Sequence, residues 1–443
     1  MTTWAMEEFA GAKLGDRRLD VRLIKWAERF ADKPTASIPG ACLDWAETQA
    51  VYRFFDQASD DKRSLGWQDI LDPHLTQTEA RMRQHPVVLC RQDSPELDFS
   101  GQGIDGLGPL SYEAQRGLYL HPPYVVTPDR EPLGVTDVWR WARAKKASDG
   151  TRPGIRESVR WTAGYERMAE TALTLPGPRL VDGADREADI AELMPRTHAL
   201  ESPADGWIRS KHNRCLPEGG KRWAAVLACA PLGEIEFMRP SRHGQAARRV
   251  CQQIFARPIR LADGQGDRLS VTCLMAKETA APAGVKPVEW RRLTHRAAPT
   301  LDDLVELIEG YRCRGEIEIF FNVLKNGCRV EALPLGRIGK IERALAVYLV
   351  VSWRLARWIR LGRTHPNLVA TTLFTDEVER RVHPGQERPP ENDTHAARGH
   401  PPNRHARRFP RPKKRRRTRR QDALAWLSAH PGFCRRGRAY AVN

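Results

Sequence analysis

The order of apolar and polar positions divides the chain into a helical N-terminal stretch and a mixed α/β body. In LGDRRLDVRLIKWAERFAD, Leu19, Leu23, Trp26, Ala27 and Phe30 recur near one stripe, while Arg17, Arg18, Arg22 and Lys25 fall elsewhere; this predicts an amphipathic helix. Pro34 and SIPG at 37–40 interrupt it, and DWAETQAVYRFFDQ predicts a second helix with Asp44 as N-cap. From residue 86 the pattern changes. PVVLCRQDS predicts a buried strand ending at Asp93, and GLYLHPPYVVTP and EPLGVTDVWRWARA predict the next two. A helix is predicted over 157–175, then a short strand ending near Asp185 and a further helix. Residues 205–295 return to strand-like pieces: GWIRSKH, RWAAVLACA, ARPIRLA, LSVTCLMA and VEWRRLT. Long helices are expected over 301–326 and 341–361. No internal repeat is visible.

Composition changes this picture little. Apolar residues make up 41% and charged residues 29% of 443, ordinary values for a globular chain. The longest strongly apolar run, Ala344 to Trp353, is bounded by Arg343 and Arg354 and is far shorter than the ~18–20 residues that span a bilayer. The first residues lack the basic-then-apolar order of a signal peptide, so a cytoplasmic location is expected. Nine cysteines, none spaced Cys-x-x-Cys, indicate neither a disulfide framework nor a zinc site.

Charge changes it more. The formal net charge is +17, but residues 379–443 hold 18 Lys+Arg against 5 Asp+Glu, so most of the excess lies there. This tail contains RRFPRPKKRRRTRR and eight prolines without any sustained period, and its composition predicts disorder. A nucleic-acid-binding arm is the other reading.

Candidate chemistry begins with the strand-end acids Asp93 and Asp185. Carboxylates at the ends of strands in one sheet can converge on one spot, and Mg²⁺ favours such oxygen ligands. Each is equally a turn or cap aspartate when taken alone. GYRCRGEIEIFFNVLKNGC adds a third element. At about 100° per residue, Tyr311, Arg314, Glu318 and Lys325 fall within an arc of about 60° on one continuous helix. Ile317, Phe320, Phe321 and Leu324 lie beside that arc, able to dock on a sheet. The stripe would suit a metal contacting a clamped phosphodiester; it would also suit a solvated face with an Arg314–Glu318 pair.

Tyrosine, two residues, arginine, three, glutamate, six, lysine is a pattern that resembles the signature of cut-and-paste transposases of the insertion-sequence-four family. VVLCRQDS looks like that family's first-aspartate strand, and DGADREADI is similar to its second-aspartate motif. WAMEEF through LGDRR to AVYRFFDQ looks like its transposon-end-binding domain. The resemblance covers residues 1–378. It implies a helical DNA-binding domain over 1–70 and an α/β, ribonuclease-H-like (retroviral-integrase-like) catalytic domain over 71–375, with a β-rich insertion at about 205–295. It also implies Asp93, Asp185 and Glu318 as a catalytic, metal-binding triad for two Mg²⁺ (or Mn²⁺) ions. Tyr311, Arg314 and Lys325 would hold the phosphate of a flipped base, on which Trp290 stacks; unaided, Trp290 reads as a core aromatic. Arg209, Lys211, His212 and Arg214 would meet DNA, as would Arg18, Arg22 and Arg53.

Such enzymes act on double-stranded DNA, both transposon ends and target, as homodimers paired through C-terminal helices. After Val378 the resemblance stops. Shifting a GC-rich back-translation by one base gives helix-patterned strings from that point, so a single-base insertion or deletion near codon 378 is the expectation, with pairing lost. Two further readings stand beside an active transposase. One is a DNA-binding remnant unable to form the paired-end complex. The other is a plain nuclease on the same fold, which the end-binding segment argues against.

Overall fold

The computed structural model describes residues 3–57, 65–241, 246–262 and 268–365. The described residues up to Arg360 belong to one compact unit. The tail over 379–443, with its expected disorder and frame shift, lies outside the described residues.

Five helices come first: α1 (Trp4–Glu8), α2 (Arg17–Asp32), α3 (Ile38–Ala41), α4 (Trp45–Phe55) and α5 (Trp67–Met82). On α2 the expected stripe of Leu19, Leu23, Trp26, Ala27 and Phe30 is buried. Asp44 does cap α4, accepting from the Glu47 N–H at 2.7 Å. The strands and helices that follow are β1 (Val87–Arg91), β2 (Glu96–Asp98), β3 (Gly108–Pro109), β4 (Arg116–His121), β5 (Tyr124–Val126), β6 (Pro132–Val135), β7 (Trp139–Trp141) and α6 (Val159–Thr174). Then come β8 (Arg179–Ala184), α7 (Leu193–Ala199), β9 (Asp205–Arg209), α8 (Arg222–Leu227), β10 (Gly233–Arg239), β11 (Arg248–Ala262), β12 (Arg268–Glu278) and β13 (Glu289–Thr294). Three helices end the described chain: α9 (Leu301–Arg312), α10 (Gly315–Asn322) and α11 (Ile338–Thr364).

Nine strands form one mixed sheet in the order β10-β11-β12-β13-β9-β8-β1-β5-β6. The inner strands β1, β8 and β9 run parallel, while β5 and β6 on one side and β13 to β10 on the other join antiparallel. One face carries Val88, Cys90, Leu180 and Ile208 against Trp161 and Tyr165 of α6. On another, Trp207, Leu274 and Trp290 pack with Leu304, Leu307 and Ile308 of α9. The 205–295 stretch therefore extends this sheet, with β9 a parallel inner strand. It does not build a separate sheet.

Three expectations differ from the fold. GLYLHPPYVVTP is two strands, because Pro122 and Pro123 interrupt the ladder; β4 joins a small sheet with β2, β3 and β7, whereas β5 joins the large one. EPLGVTDVWRWARA is likewise split, into β6 and β7. RWAAVLACA forms helix α8, where helix-favouring alanines follow a first turn whose Trp223 N–H donates to Asn213 Oδ1 at 3.1 Å. Among the described residues no helix is long and apolar enough to cross a membrane.

Helix α5 runs across the expected boundary at residue 70 and is clamped to α1. His74 is fully buried and receives the Val135 N–H on Nε2 at 3.3 Å. Its proton therefore sits on Nδ1, which donates to Glu8. Arg81 donates to the other Glu8 oxygen at 2.8 Å and to the Leu133 carbonyl at 2.6 Å. Burial alone would raise the Glu8 carboxyl, but His74 and Arg81 outweigh it and hold the group at about 2, while burial lowers His74. Both groups resist protonation in the fold more than in the unfolded chain. Their stabilisation is thus complete above about pH 6.5, declines as His74 must charge, and is lost further between about 4.5 and 2. Thermal melts should fall across that range. Glu8→Gln should cost about 3 kcal/mol at pH 7 and remove the part of the decline between about 4.5 and 2, while the part due to His74 remains.

Candidate functional site

The parallel pair β1 and β8 sets the site. In register, Arg91 lies opposite Gly183, so the chain segments leaving both strands emerge side by side. Two residues beyond β1 stands Asp93, and directly after β8 stands Asp185. Each is held by its own turn: Asp93 Oδ1 accepts from the Ser94 N–H at 2.9 Å, and Asp185 Oδ1 accepts from the Glu187 N–H at 2.7 Å.

Glu318 reaches the same place from α10 through Arg314. The Arg314 guanidinium lies 3.0 Å from Asp93 Oδ2, 3.5 Å from Asp185 Oδ2 and 2.9 Å from Glu318 Oε1. Three acids, 92 and 133 residues apart in sequence, thus share one cation. Burial pushes the Asp93 carboxyl up, Arg314 opposes this, and Asp185 adds to it. Glu318 is raised by burial as well, with Arg314 opposing and both aspartates adding. Such crowding of like charge marks a site built for positive charge. Glu187 stands nearby as a fourth acid, raised by desolvation and then by Asp185 and Asp93.

A second buried arginine underlies the strand ends. Arg91 is 1% exposed and donates to the Gly310 carbonyl at 2.5 Å, tying β1 to α9. Its guanidinium passes so close to β8 that a Cβ on Gly183 would lie 1.7 Å from it, so any larger residue there would have to displace the buried guanidinium.

The four stripe residues do not share one helix face. The segment expected as one helix breaks at Cys313 and Arg314, whose N–H groups bond three residues back, to Gly310 and Tyr311. It restarts with Gly315, then widens into a π turn over Val323–Gly327. Each break shifts the phase. Arg314 and Glu318 remain neighbours, but Tyr311 turns into the core. It is 3% exposed, edge-on to Trp207 with ring centroids 4.7 Å apart, and Arg292 lies 3.8 Å over its ring. Lys325 donates to the Glu96 carbonyl at 2.9 Å and pairs with Glu331 at 3.0 Å.

Trp290, on β13, is also core: 6% exposed and stacked on Phe237. The cavity that Trp290, Arg292, Ile308, Tyr311 and Arg312 line is about 10 Å³, room for about one water. Neither ring is open to a base or a phosphate in this structure.

Of the other expected DNA contacts, Arg209 closes β9 opposite Arg292. Lys211 and His212 are exposed, and Arg214 is half-buried. They sit on a loop pinned by Asp189, which sequence reading missed. Its Oδ2 accepts from Ser210 Oγ at 2.9 Å and from the Lys211 and His212 N–H groups at 2.8 Å, and its carbonyl accepts from Arg214 at 2.7 Å. The signal available was an aspartate four residues after Asp185 in DREAD. Ala191, His212, Asn213 and Arg214 line an open recess of about 380 Å³. At the N-terminus Arg18, Arg22 and Arg53 are exposed; Arg18 pairs with Asp16 and Arg53 donates to Gln49.

Residues 1–59 match a family model described as transposase DNA-binding. The N-terminal helices are thus similar to the DNA-binding module of transposases. Among solved structures, the chain is similar to the piggyBac transposase synaptic complex with hairpin DNA, at 10% identity and a TM-score of 0.36, over 86% of this chain and 75% of that one. A likeness that loose does not bear on the fold or the site.

Arg314→Ala should leave three acids without their shared cation. We expect a loss of roughly 2 kcal/mol at pH 8. The deficit should shrink as the pH falls and the raised carboxyls of Asp93 and Glu318 take up protons; urea titrations at pH 8 and pH 5 measure it.

Proposed function

We propose that the chain is a DNA transposase with a ribonuclease-H-like core, cleaving transposon ends and joining them to target DNA with divalent metal ions. The convergence of Asp93, Asp185 and Glu318, from β1, β8 and α10, on one guanidinium carries this reading. The mixed order β6-β5-β1-β8-β9, with acids leaving adjacent parallel strands, supports the core assignment. The match over residues 1–59 supports DNA as the partner.

The donor set fits a hard cation, since three carboxylates already gather round one positive group. Among the described residues, no three acid, histidine or cysteine side chains close round one point as a finished cage. The acids as placed are spaced by the guanidinium. Mg²⁺ or Mn²⁺, two per site, would be held by Asp93, Asp185 and Glu318, and bound there would activate water or a 3′ hydroxyl and stabilise the leaving oxygen. Arg314, once released, offers a planar fork suited to a phosphate. Lys325, now paired with Glu331, would join it as a point charge, and Arg209 at the end of β9 with Lys211, His212 and Arg214 on the following loop would meet the duplex. Arg18, Arg22 and Arg53 serve the end-binding helices.

A nicking assay on transposon-end duplexes with Mg²⁺ or Mn²⁺ tests this. Wild-type chain should nick, weakly where the pairing helices are lost, and Glu318→Gln should abolish that nicking with DNA affinity kept. Tight, salt-dependent binding without nicking by either would favour the remnant reading, and binding to no end sequence would end the proposal.

A further inference from the structure

A buried chain of polar groups runs from the middle of β8 to the residue beside Asp93. Asp182 and Gln92 are 3% and 0% exposed, and Gln92 Nε2 lies 2.8 Å from both Asp182 oxygens. His121, at the end of β4 and also 0% exposed, places Nε2 3.0 Å from Gln92 Oε1 and Nδ1 2.6 Å from Ser94 Oγ. Trp161 closes one side of the imidazole edge-on, 4.9 Å away. A Cβ on Gly164 would lie 2.0 Å from Gln92 Oε1, so α6 leaves a gap that the amide fills.

The direction of every proton in this chain follows. Burial raises the Asp182 carboxyl to about 6, so above that range it is ionised and only accepts; the Gln92 amide then turns its NH₂ to Asp182 and its oxygen to His121. That oxygen only accepts, so the proton of His121 sits on Nε2. Burial, aided by Arg160, drives the imidazole to about 3, so it is neutral and its Nδ1 is bare. Bare Nδ1 takes the Ser94 hydroxyl proton. The Ser94 N–H is meanwhile committed to Asp93. None of these four side chains was singled out by the sequence.

We infer that Asp182, Gln92, His121 and Ser94 form a positioning relay that fixes the segment carrying Asp93 and leaves the Ser94 hydroxyl an acceptor only. Next to the acids, that hydroxyl can receive a water or another hydroxyl donor, but it cannot spend its proton on the carboxylates or on a phosphate. The catalytic part of this inference rests on the proposed function; the proton arrangement does not.

Two measurements on the full chain keep these apart. In ¹⁵N-histidine NMR spectra, the signal lost in His121→Asn should be a neutral imidazole protonated on Nε2 and unchanged from pH 8 to pH 7, above the range in which the raised Asp182 carboxyl takes up its proton. A proton on Nδ1, or titration of the ring between pH 8 and pH 7, overturns the relay. In the nicking assay, Gln92→Met and Ser94→Ala should lower kcat by about 10–100-fold at unchanged DNA affinity, whereas Ser94→Thr should stay near wild type. Half-buried Ser94 gives a variant whose folding a thermal melt can verify if Gln92→Met unfolds. If both variants nick at wild-type rates while Glu318→Gln does not, the catalytic part of the inference is wrong and the proposed function stands. If wild type does not nick, the proposed function falls, and the spectra alone decide the relay.

Discussion

The arrangement at the strand ends depends on one guanidinium. Three carboxylates brought together from β1, β8 and α10 would repel one another at neutral pH, and Arg314 offsets that repulsion from a side chain only 12% exposed. Its planar fork turns Nη2 to both aspartates and Nη1 to Glu318, which a lysine ammonium would not reproduce. The rest of the fold supplies the approach: parallel strands deliver two acids, and a tight turn before α10 delivers both the third acid and the cation.

That turn explains why the site was only partly legible in the sequence. Asp93 and Asp185 were readable because each ends a buried apolar run, and such runs in a parallel sheet finish at the same edge. Arg314 and Glu318 were readable because four residues separate them on either side of any helical phase choice. Tyr311 and Lys325 were not, because angular arithmetic assumes one unbroken helix. Gly310 and Gly315 flank a change to i→i−3 bonding, and the π turn after Asn322 changes the phase again. Trp290 read as a core aromatic from its surroundings alone, and in the core it lies.

What sequence reading missed was polar and buried. Asp189, Arg91, Gln92, His121 and Asp182 carry no periodic signal, since their roles come from partners 20 to 220 residues away. The fold was legible where one face is wet and one dry, as on α2, and illegible where composition misled. Alternating apolar and small residues in RWAAVLACA imitate a strand, and only a cap from Asn213 and a helix-wise burial of Trp223 and Val226 tell otherwise.

The clamp between Glu8, His74 and Arg81 leaves little slack between the first helices and the large sheet. A DNA-binding module on a supple leash samples many separations from its cutting site and tolerates many spacings along a duplex. Here the ionic seam joins α1 to α5, and α5 packs on β6, an outer strand of the sheet that carries the acids. On the proposed function, a duplex gripped by Arg18, Arg22 and Arg53 would meet those acids at a set number of base pairs, so the protein's own rigidity would act as the ruler.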